Sequence, residues 1–172
     1  MNLLLILQHS LVYGAILSVL MSALFLGGAM ISPDVMLRGY PSDIKAKYGP
    51  ISMKGERVRR PMAVLLFVIL FGTIIMAFIQ LARANGNVLT FLAAFVSTFM
   101  ILSIFNLVDL LILDWLVFVT LQPKFVVLPG TEGLAGYKDY GFHFKAFLRG
   151  TALCLIAGLI IAGIAAMISA AL

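Results

Sequence analysis

The chain has 172 residues, of which 63% are hydrophobic and 11% are charged, and its formal net charge is +5. Soluble domains contain roughly 45–50% apolar and about 25% charged residues, so this composition excludes an ordinary soluble protein and indicates a protein of the bilayer. The length is that of a single domain. The one cysteine, Cys154, excludes a disulfide within the chain.

Four stretches are apolar over the roughly 20 residues that a membrane-spanning helix needs. They cover approximately residues 3–31, 62–82, 88–121 and 151–172. The first has no basic leading segment and is longer than a signal-peptide core, so we expect it to be retained. The sequence therefore predicts an all-α membrane protein with a single membrane domain, a four-transmembrane-helix bundle with structured loops at residues 32–61 and 122–150.

The basic residues are distributed unevenly between the two sides of the predicted spans. Arg83 is the only one in the short turn between spans two and three. The two long loops hold the others: Arg38, Lys45, Lys47, Lys54, Arg57, Arg59, Arg60, Lys124, Lys138, Lys145 and Arg149. Because basic residues near span ends stay in the cytoplasm, we expect both loops inside and both termini outside the cell membrane. The loops would face anionic headgroups, and the positive charge requires no nucleic acid.

The first long loop contains signals for a short helix. Pro41 suits a first helical position, Gly49 a helix end, and Pro50 prevents continuation, which predicts an interfacial helix over residues 41–48. Pro61 is predicted to open the second span. In the second loop, the KFVVL segment is expected to be extended or to enter the membrane surface shallowly, before the turn at Pro129 and Gly130.

Small residues recur at intervals of four on two of the predicted spans, and residues four apart share one helix face. Because lipid removes most of the hydrophobic drive for helix association, such faces allow close backbone approach. The candidates for helix packing are Gly14, Ser18 and Ser22 on span one, and Gly158, Ala162, Ala166 and Ala170 on span four. Packing within the chain and packing against a second copy in a homo-oligomer are both compatible with this pattern.

The third span carries the polar residues that most need an explanation. Ser103, Asn106, Asp109 and Asp114 fall within an arc of roughly 140 degrees on an α-helix. Carboxylates inside a membrane are costly and raise a functional hypothesis. About 20 residues from Val88 place Asp109 near the inner boundary and Asp114 at the headgroups. The run to Leu121 is too long for a perpendicular crossing, so the helix should tilt, project or break.

Further polar residues in the second loop can reach the same level as these two acids. The candidate ligand-binding set is Asn106, Asp109, Asp114, Glu132, Asp139 and His143. Carboxylates and an imidazole can bind a divalent metal or move protons, although no metal-binding signature is present and no cofactor or catalytic residue is assigned. This hypothesis requires Glu132 or His143 to lie close to Asp109 or Asp114.

A structural interpretation of the same residues remains open. Asp109 or Asp114 could pair with Lys124 or Arg149 and fasten the second loop to the membrane surface. His9, near the outer end of span one, is expected to make a packing hydrogen bond and to stay apart from the candidate site.

Three segments resemble a pattern in small prokaryotic integral membrane proteins with four spans. They are GYPSDIKAKYG, DWLVFVTLQPKFVVLPGTEG and YKDYGFHF. The resemblance covers the third span and both loops. It implies defined loop structure and a prokaryotic host, but it implies no activity, because none is established for that group.

Three functions fit these observations. The preferred interpretation is a module that binds or transports a small solute, ion or lipid, with its polar site at the cytoplasmic mouth. The alternatives are an accessory subunit of a larger membrane complex and a membrane enzyme acting on a lipid headgroup or isoprenoid phosphate. Four spans without an internal repeat are few for an alternating-access transporter.

Overall fold

A computed structural model of the chain describes the backbone of residues 3–171 and the side chains of residues 3–169. The long helices are α1 (Leu3–Ile31), α3 (Met53–Ala84), α4 (Phe91–Val108) and α5 (Tyr140–Ala171). A π-helical segment, Asp109–Leu121, continues α4 without a break. Within residues 3–171 four helices are long and apolar enough to cross a membrane, and there is no strand. The predicted all-α, four-helix membrane fold is confirmed.

The helices lie in the lateral order α3, α1, α4, α5. Helix α1 packs against α3 and α4, while α5 packs on α4 and its π-helical continuation. In the most apolar part of each helix, 33% of the residues are buried in α1 and 28% in α4, compared with 22% in α3 and 17% in α5. The first and third spans are therefore the inner pair, and the other two have large surfaces left for lipid.

Small residues allow the close contacts between the inner helices and their neighbours. A methyl group added to Gly14 would lie 2.7 Å from Cδ1 of Ile104, and one added to Gly158 would lie 3.4 Å from the ring of Phe95. Both glycines thus face α4 within the chain. Ser18 and Ala162 are buried, and Ser22 and Ala166 are half-buried. The side chain of Ala170 lies outside the described residues, and association with a second copy stays a prediction.

Two helices begin earlier than the apolar pattern indicates. Helix α3 begins at Met53, so Pro61 lies inside the helix and does not open it. Helix α5 begins at Tyr140, well before the predicted start at residue 151. Side-chain caps set both starts, because Ser52 accepts a hydrogen bond from Gly55 N at 3.0 Å and Asp139 accepts one from Phe142 N at 2.8 Å. Hydropathy locates the membrane-embedded part of a helix, whereas its cap determines where it starts.

The third span continues to Leu121 by changing its winding. The π-helical segment is stabilised by hydrogen bonds to the fifth preceding residue, such as Gln122 N to Val117 O at 2.9 Å. It ends at Gln122, which has a left-handed backbone. A turn closed by such bonds contains more residues than an α-helical turn. Residues five apart, such as Asp109 and Asp114, are therefore brought back towards one face.

The two long loops fold together at one end of the helices, and we call residues 32–52 and 122–139 the loop layer. It contains short 3-10 helices at Pro33–Gly39 and Ala135–Lys138, and helix α2 at Ser42–Tyr48. Helix α2 begins one residue after Pro41, near its predicted start, and the KFVVL segment forms a turn. Hydrogen bonds from the Tyr40 hydroxyl to Val126 O, at 2.7 Å, and from Gly136 N to Asp43, at 2.8 Å, join the loops.

An aromatic and aliphatic cluster fills the space between the two loops. Tyr137 is its largest fully buried side chain, with 1% of its surface exposed. The cluster consists of Leu37, Tyr40, Ile44, Phe118, Val119, Val126, Leu128 and Tyr137. Since Phe118 and Val119 belong to the π-helical segment, the cluster also fixes the loop layer to the end of the third span.

Candidate functional site

A small cavity lies where α1 and the π-helical segment meet the loop layer, and we call it the acidic cavity. Its volume is about 100 Å³, and its two charged side chains are Asp109 and Asp114. Phe25 of α1, Met36 and Tyr40 of the first loop and Phe118 are among its other walls. Among the described residues, no basic side chain lines it. The cavity combines two acids with a wall that is otherwise mostly apolar.

Asp114 is held in place by a histidine from α5. The Nδ1 atom of His143 lies 2.9 Å from Oδ1 of Asp114, and only 4% of the His143 surface is exposed. The imidazole ring also packs on Phe118, with 4.8 Å between the ring centres. Because His143 lies in the first turn of α5, this contact ties α5 to the π-helical segment. It leaves Oδ2 of Asp114 without a hydrogen-bond partner among the described residues.

The second ring nitrogen of His143 is an unsatisfied polar atom in the protein interior. Nε2 is buried and has no hydrogen-bond partner among the described residues. Most buried polar atoms have a partner, so an exception calls for an explanation. When Nδ1 donates to a carboxylate, Nε2 can accept in the neutral imidazole and donate in the protonated one. Nε2 of His143 is therefore an unused hydrogen-bonding position beside the contact with Asp114.

Asp109 differs from Asp114 in having no partner of its own. It is half-buried on the wall of the acidic cavity and makes no hydrogen bond or ion pair with any described residue. An ionised carboxylate in such a place is costly unless it meets a cation or a hydrogen-bond donor. Asp109 is therefore the side chain of the cavity with the most unused binding capacity.

The other three candidate residues have different partners. Asn106 donates to Phe147 O and to Thr151 Oγ1, both at 3.1 Å, and so joins α4 to α5. Glu132 is exposed and accepts a hydrogen bond from Gly130 N at 3.1 Å, within its own turn. Asp139 is exposed at the start of α5, where it caps the helix. None of the three lines the acidic cavity.

The structural interpretation of the two acids stays a prediction: Asp114 does form a pair, but its partner is His143 and not one of the two basic residues suggested by the sequence. Lys124 and Arg149 are exposed and form no ion pair with Asp109 or Asp114 within residues 3–169. His9 lies elsewhere, as expected: its Nε2 is 3.2 Å from Ala77 O, which joins α1 to α3.

Tyr40 is a wall residue that sequence reasoning did not select. It lies in the first loop, yet it is only 4% exposed and donates to Val126 O. Burial and then the nearby Tyr137 hydroxyl raise the pKa of Tyr40 well above its usual value, so it stays a neutral donor. In the sequence, Tyr40 is only an aromatic residue before Pro41, and such a residue is equally compatible with an exposed turn.

The donor set limits the chemistry of the site. In the described part of the chain, no three His, Cys, Asp or Glu side chains lie close enough together to hold a metal ion. What the cavity offers is two carboxylates, one of them positioned by an imidazole. Such a set can attract a cation or exchange a proton.

Comparison with known proteins adds no relative. No protein-family model, curated protein or solved structure matches the chain. The geometry of the acidic cavity is therefore the basis for the function proposed below.

Proposed function

We propose that this integral membrane protein is a binding module that holds a small cation, or the cationic group of a small solute, in the acidic cavity. The observation that carries the proposal is Asp109, an unpartnered acid on the wall of a cavity without basic residues. A cation there would interact with Asp109 and with the free oxygen of Asp114. Because the surroundings are mostly apolar, that attraction is stronger than between charges in water.

The size of the cavity supports a small ligand. A cavity of roughly 10–15 Å³ holds one water molecule, and drug-sized ligands occupy pockets of about 300–1,000 Å³. The volume of about 100 Å³ lies between these limits. It suits an ion with a few waters or a compact ammonium group.

The charge of the cavity argues against a phosphate-bearing substrate. An enzyme acting on a lipid headgroup or isoprenoid phosphate needs cationic groups beside the phosphate, and this cavity has none among its described walls. Glu132, one of the acids in the candidate ligand-binding set, is exposed and does not line the cavity. A transport cycle would need associated copies, because four spans without a repeat do not provide two moving halves.

Orientation follows from the charges at the two ends. Eleven of the twelve Lys and Arg residues lie within residues 32–61 and 122–150, which are the loop layer and the adjoining starts of α3 and α5, whereas Arg83 lies in the last turn of α3. This asymmetry supports a cytoplasmic loop layer and outside termini in the cell membrane. The acidic cavity would then be at the cytoplasmic mouth.

A titration of the purified protein in lipid nanodiscs tests the proposal. NaCl, MgCl₂ or tetramethylammonium chloride replaces N-methylglucamine chloride at constant ionic strength, and the midpoint of thermal unfolding is measured. A ligand at 100 times its Kd stabilises the native state by about 2.7 kcal/mol. At least one of the three salts is therefore expected to raise the midpoint by several degrees.

Matched variants assign the effect to the cavity. Asp109→Asn should remove most of the shift while still folding, because Asp109 has no partner to lose among the described residues. Glu132→Gln removes an equal charge outside the cavity and should retain the full shift. The proposal is wrong if Asp109→Asn responds like the unaltered protein, or if none of the three salts shifts the midpoint.

A further inference from the structure

Three basic side chains converge on a second concavity at the same end of the protein, and we call it the basic groove. Its volume is about 380 Å³, and it is lined by Arg38 of the first 3-10 helix, Lys45 of α2 and Arg59 of α3. No carboxylate is among its described walls. Arg59 pairs with Glu56 at 2.7 Å, whereas Arg38 and Lys45 have no acidic partner within residues 3–169. The basic groove thus has two basic side chains that no acidic side chain among residues 3–169 neutralises by direct pairing.

A buried carboxylate holds two walls of the basic groove together. Asp34, which is 2% exposed, accepts hydrogen bonds from Ser32 Oγ and Ser52 N, both at 2.6 Å. A methyl group added to Gly55 would lie 2.6 Å from the Asp34 carboxylate, so the 3-10 helix and the start of α3 approach closely. Hydrogen bonds to Asp34 therefore hold together the 3-10 helix that carries Arg38 and the start of α3, which carries Arg59.

The basic groove lies near the boundary between polar and apolar sequence. Arg59 precedes the apolar stretch of α3, which begins at Met62, by three residues. At a rise of 1.5 Å per residue, this separation is about 5 Å along the helix. The guanidinium is therefore at the level where lipid phosphates are expected.

An apolar groove continues from this level into the membrane-spanning region between α1 and α3. Its volume is about 290 Å³, and Leu24, Gly27, Val58 and Leu65 are among its walls. A methyl group added to Gly27 would meet nothing within 4 Å, so the groove is open at that point.

The apolar groove and the basic groove share a boundary. Val35 lines the basic groove, and its Cγ1 lies 3.5 Å from where a Cβ of Gly28, on the wall of the apolar groove, would be. Val58 and Arg59 are consecutive in α3 and line the apolar groove and the basic groove, respectively.

We propose that these two grooves form one binding site for an anionic phospholipid. The phosphate contacts Arg38 and Lys45, and an acyl chain lies between α1 and α3. A free phosphate would use only the upper half of this site, whereas a lipid uses both halves. The site is separate from the acidic cavity, which prefers the opposite charge.

Native mass spectrometry of the protein in detergent, with equal amounts of phosphatidylglycerol and phosphatidylcholine of the same chain length, tests the proposal. The unaltered protein should retain phosphatidylglycerol preferentially. Each basic residue near a headgroup contributes about a fivefold gain in affinity. The double change Arg38→Gln and Lys45→Gln should therefore weaken phosphatidylglycerol binding about 25-fold.

Two further variants test the site as a whole. A Cβ at Gly27 meets nothing within 4 Å, and leucine has a higher helix propensity than glycine. Gly27→Leu is therefore expected to occupy the apolar groove and to lower phosphatidylglycerol retention while the protein stays folded. The control, Lys47→Gln with Lys54→Gln, removes the same charge from exposed positions that do not line the basic groove. It should retain the preference for phosphatidylglycerol.

Three results would overturn the proposal. The first is an equal loss in the control and in the groove variant, which would indicate attraction to overall charge. The second is unchanged retention in Gly27→Leu. The third is displacement of phosphatidylglycerol by millimolar glycerol phosphate, which would identify a site for soluble phosphate esters.

Discussion

The loop layer and the four long helices are stabilised in different ways. In the loop layer, side chains from one loop hydrogen-bond to the backbone of the other, as Tyr40 does with Val126, around a buried aromatic cluster. The long helices meet through small residues such as Gly14 and Gly158 and through few polar contacts, of which Asn106 is the clearest. The hydrophobic effect drives folding where water is the alternative environment, whereas helices in lipid depend on close packing.

The acidic cavity lies where these two kinds of structure meet. Asp109 comes from the third span, Tyr40 from the loop layer and Phe25 from α1. Its shape therefore depends on both. Substitutions in the two parts should lower the free energy of unfolding by different amounts. Variants at three positions measure that difference.

The largest effect is expected from removing the centre of the loop layer. Tyr137→Ala deletes a ring that is 1% exposed, and loss of a buried aromatic side chain costs about 3–5 kcal/mol. The free energy of unfolding is measured by denaturant titration in detergent. Limited proteolysis should also show faster cleavage within residues 122–138.

Tyr137→Phe separates the ring from its hydroxyl, which contacts Leu128 N at 2.9 Å and Thr131 Oγ1 at 2.7 Å. Its expected cost is about 1–2 kcal/mol. Equal costs for the two variants would contradict the view that aromatic packing stabilises the loop layer.

An intermediate effect is expected at Asp34. Hydrogen bonds to a charged group are worth about 1.5–3 kcal/mol, so Asp34→Ala should destabilise the protein by about 2 kcal/mol. Burial alone would raise the pKa of Asp34, but the hydrogen bonds from Ser32 and Ser52 lower it below its usual 3.8. The stabilisation is therefore complete above about pH 3.8 and is lost as the pH falls through the lowered pKa.

Unfolding of the unaltered protein and the Asp34→Ala variant between pH 3 and 7 checks this expectation. The difference should be constant at the upper end and shrink at the lower end. Glu132→Ala, at an exposed acid, is the control and should change stability little. A difference that grows below pH 3.8 would contradict the assignment.

The smallest effect is expected in the membrane. Hydrogen bonds between transmembrane helices average about 0.6 kcal/mol, with a maximum near 1.7. Asn106→Ala, which removes two bonds to α5, should therefore cost about 1 kcal/mol in the same titration. A loss comparable to that of Tyr137→Ala would show that polar contacts dominate the helix packing as well.

Hydropathy was sufficient to locate the spans, because a backbone in lipid must satisfy its own hydrogen bonds and a long apolar segment does so as a helix. It did not locate the starts of α3 and α5, since Ser52 and Asp139 cap these helices in polar sequence. The π-helical winding after Val108 had no sequence signal. It is part of the reason why Asp109 and Asp114 both line the acidic cavity.

Within the candidate site, residue type was less informative than neighbourhood. Asn106 and Asp109 lie three residues apart on one continuous helix. Asn106 donates a hydrogen bond to the Phe147 carbonyl, whereas Asp109 lines the acidic cavity. Glu132 and His143 had equal claims in the sequence. Only His143 contacts Asp114, because it is on the inner face of α5, whereas Glu132 lies in an exposed turn.

The sequence by itself determined the class of this protein, the number of its spans and the concentration of positive charge in its loops. These properties depend on the local composition of each segment, because apolar segments enter the lipid and charged segments stay in water. The tertiary structure decided which acid is paired, which is free, and that a groove of opposite charge lies at the same end. Those properties depend on contacts between segments far apart in sequence, such as Tyr40 with Val126 and Asp114 with His143, and no local pattern encodes them.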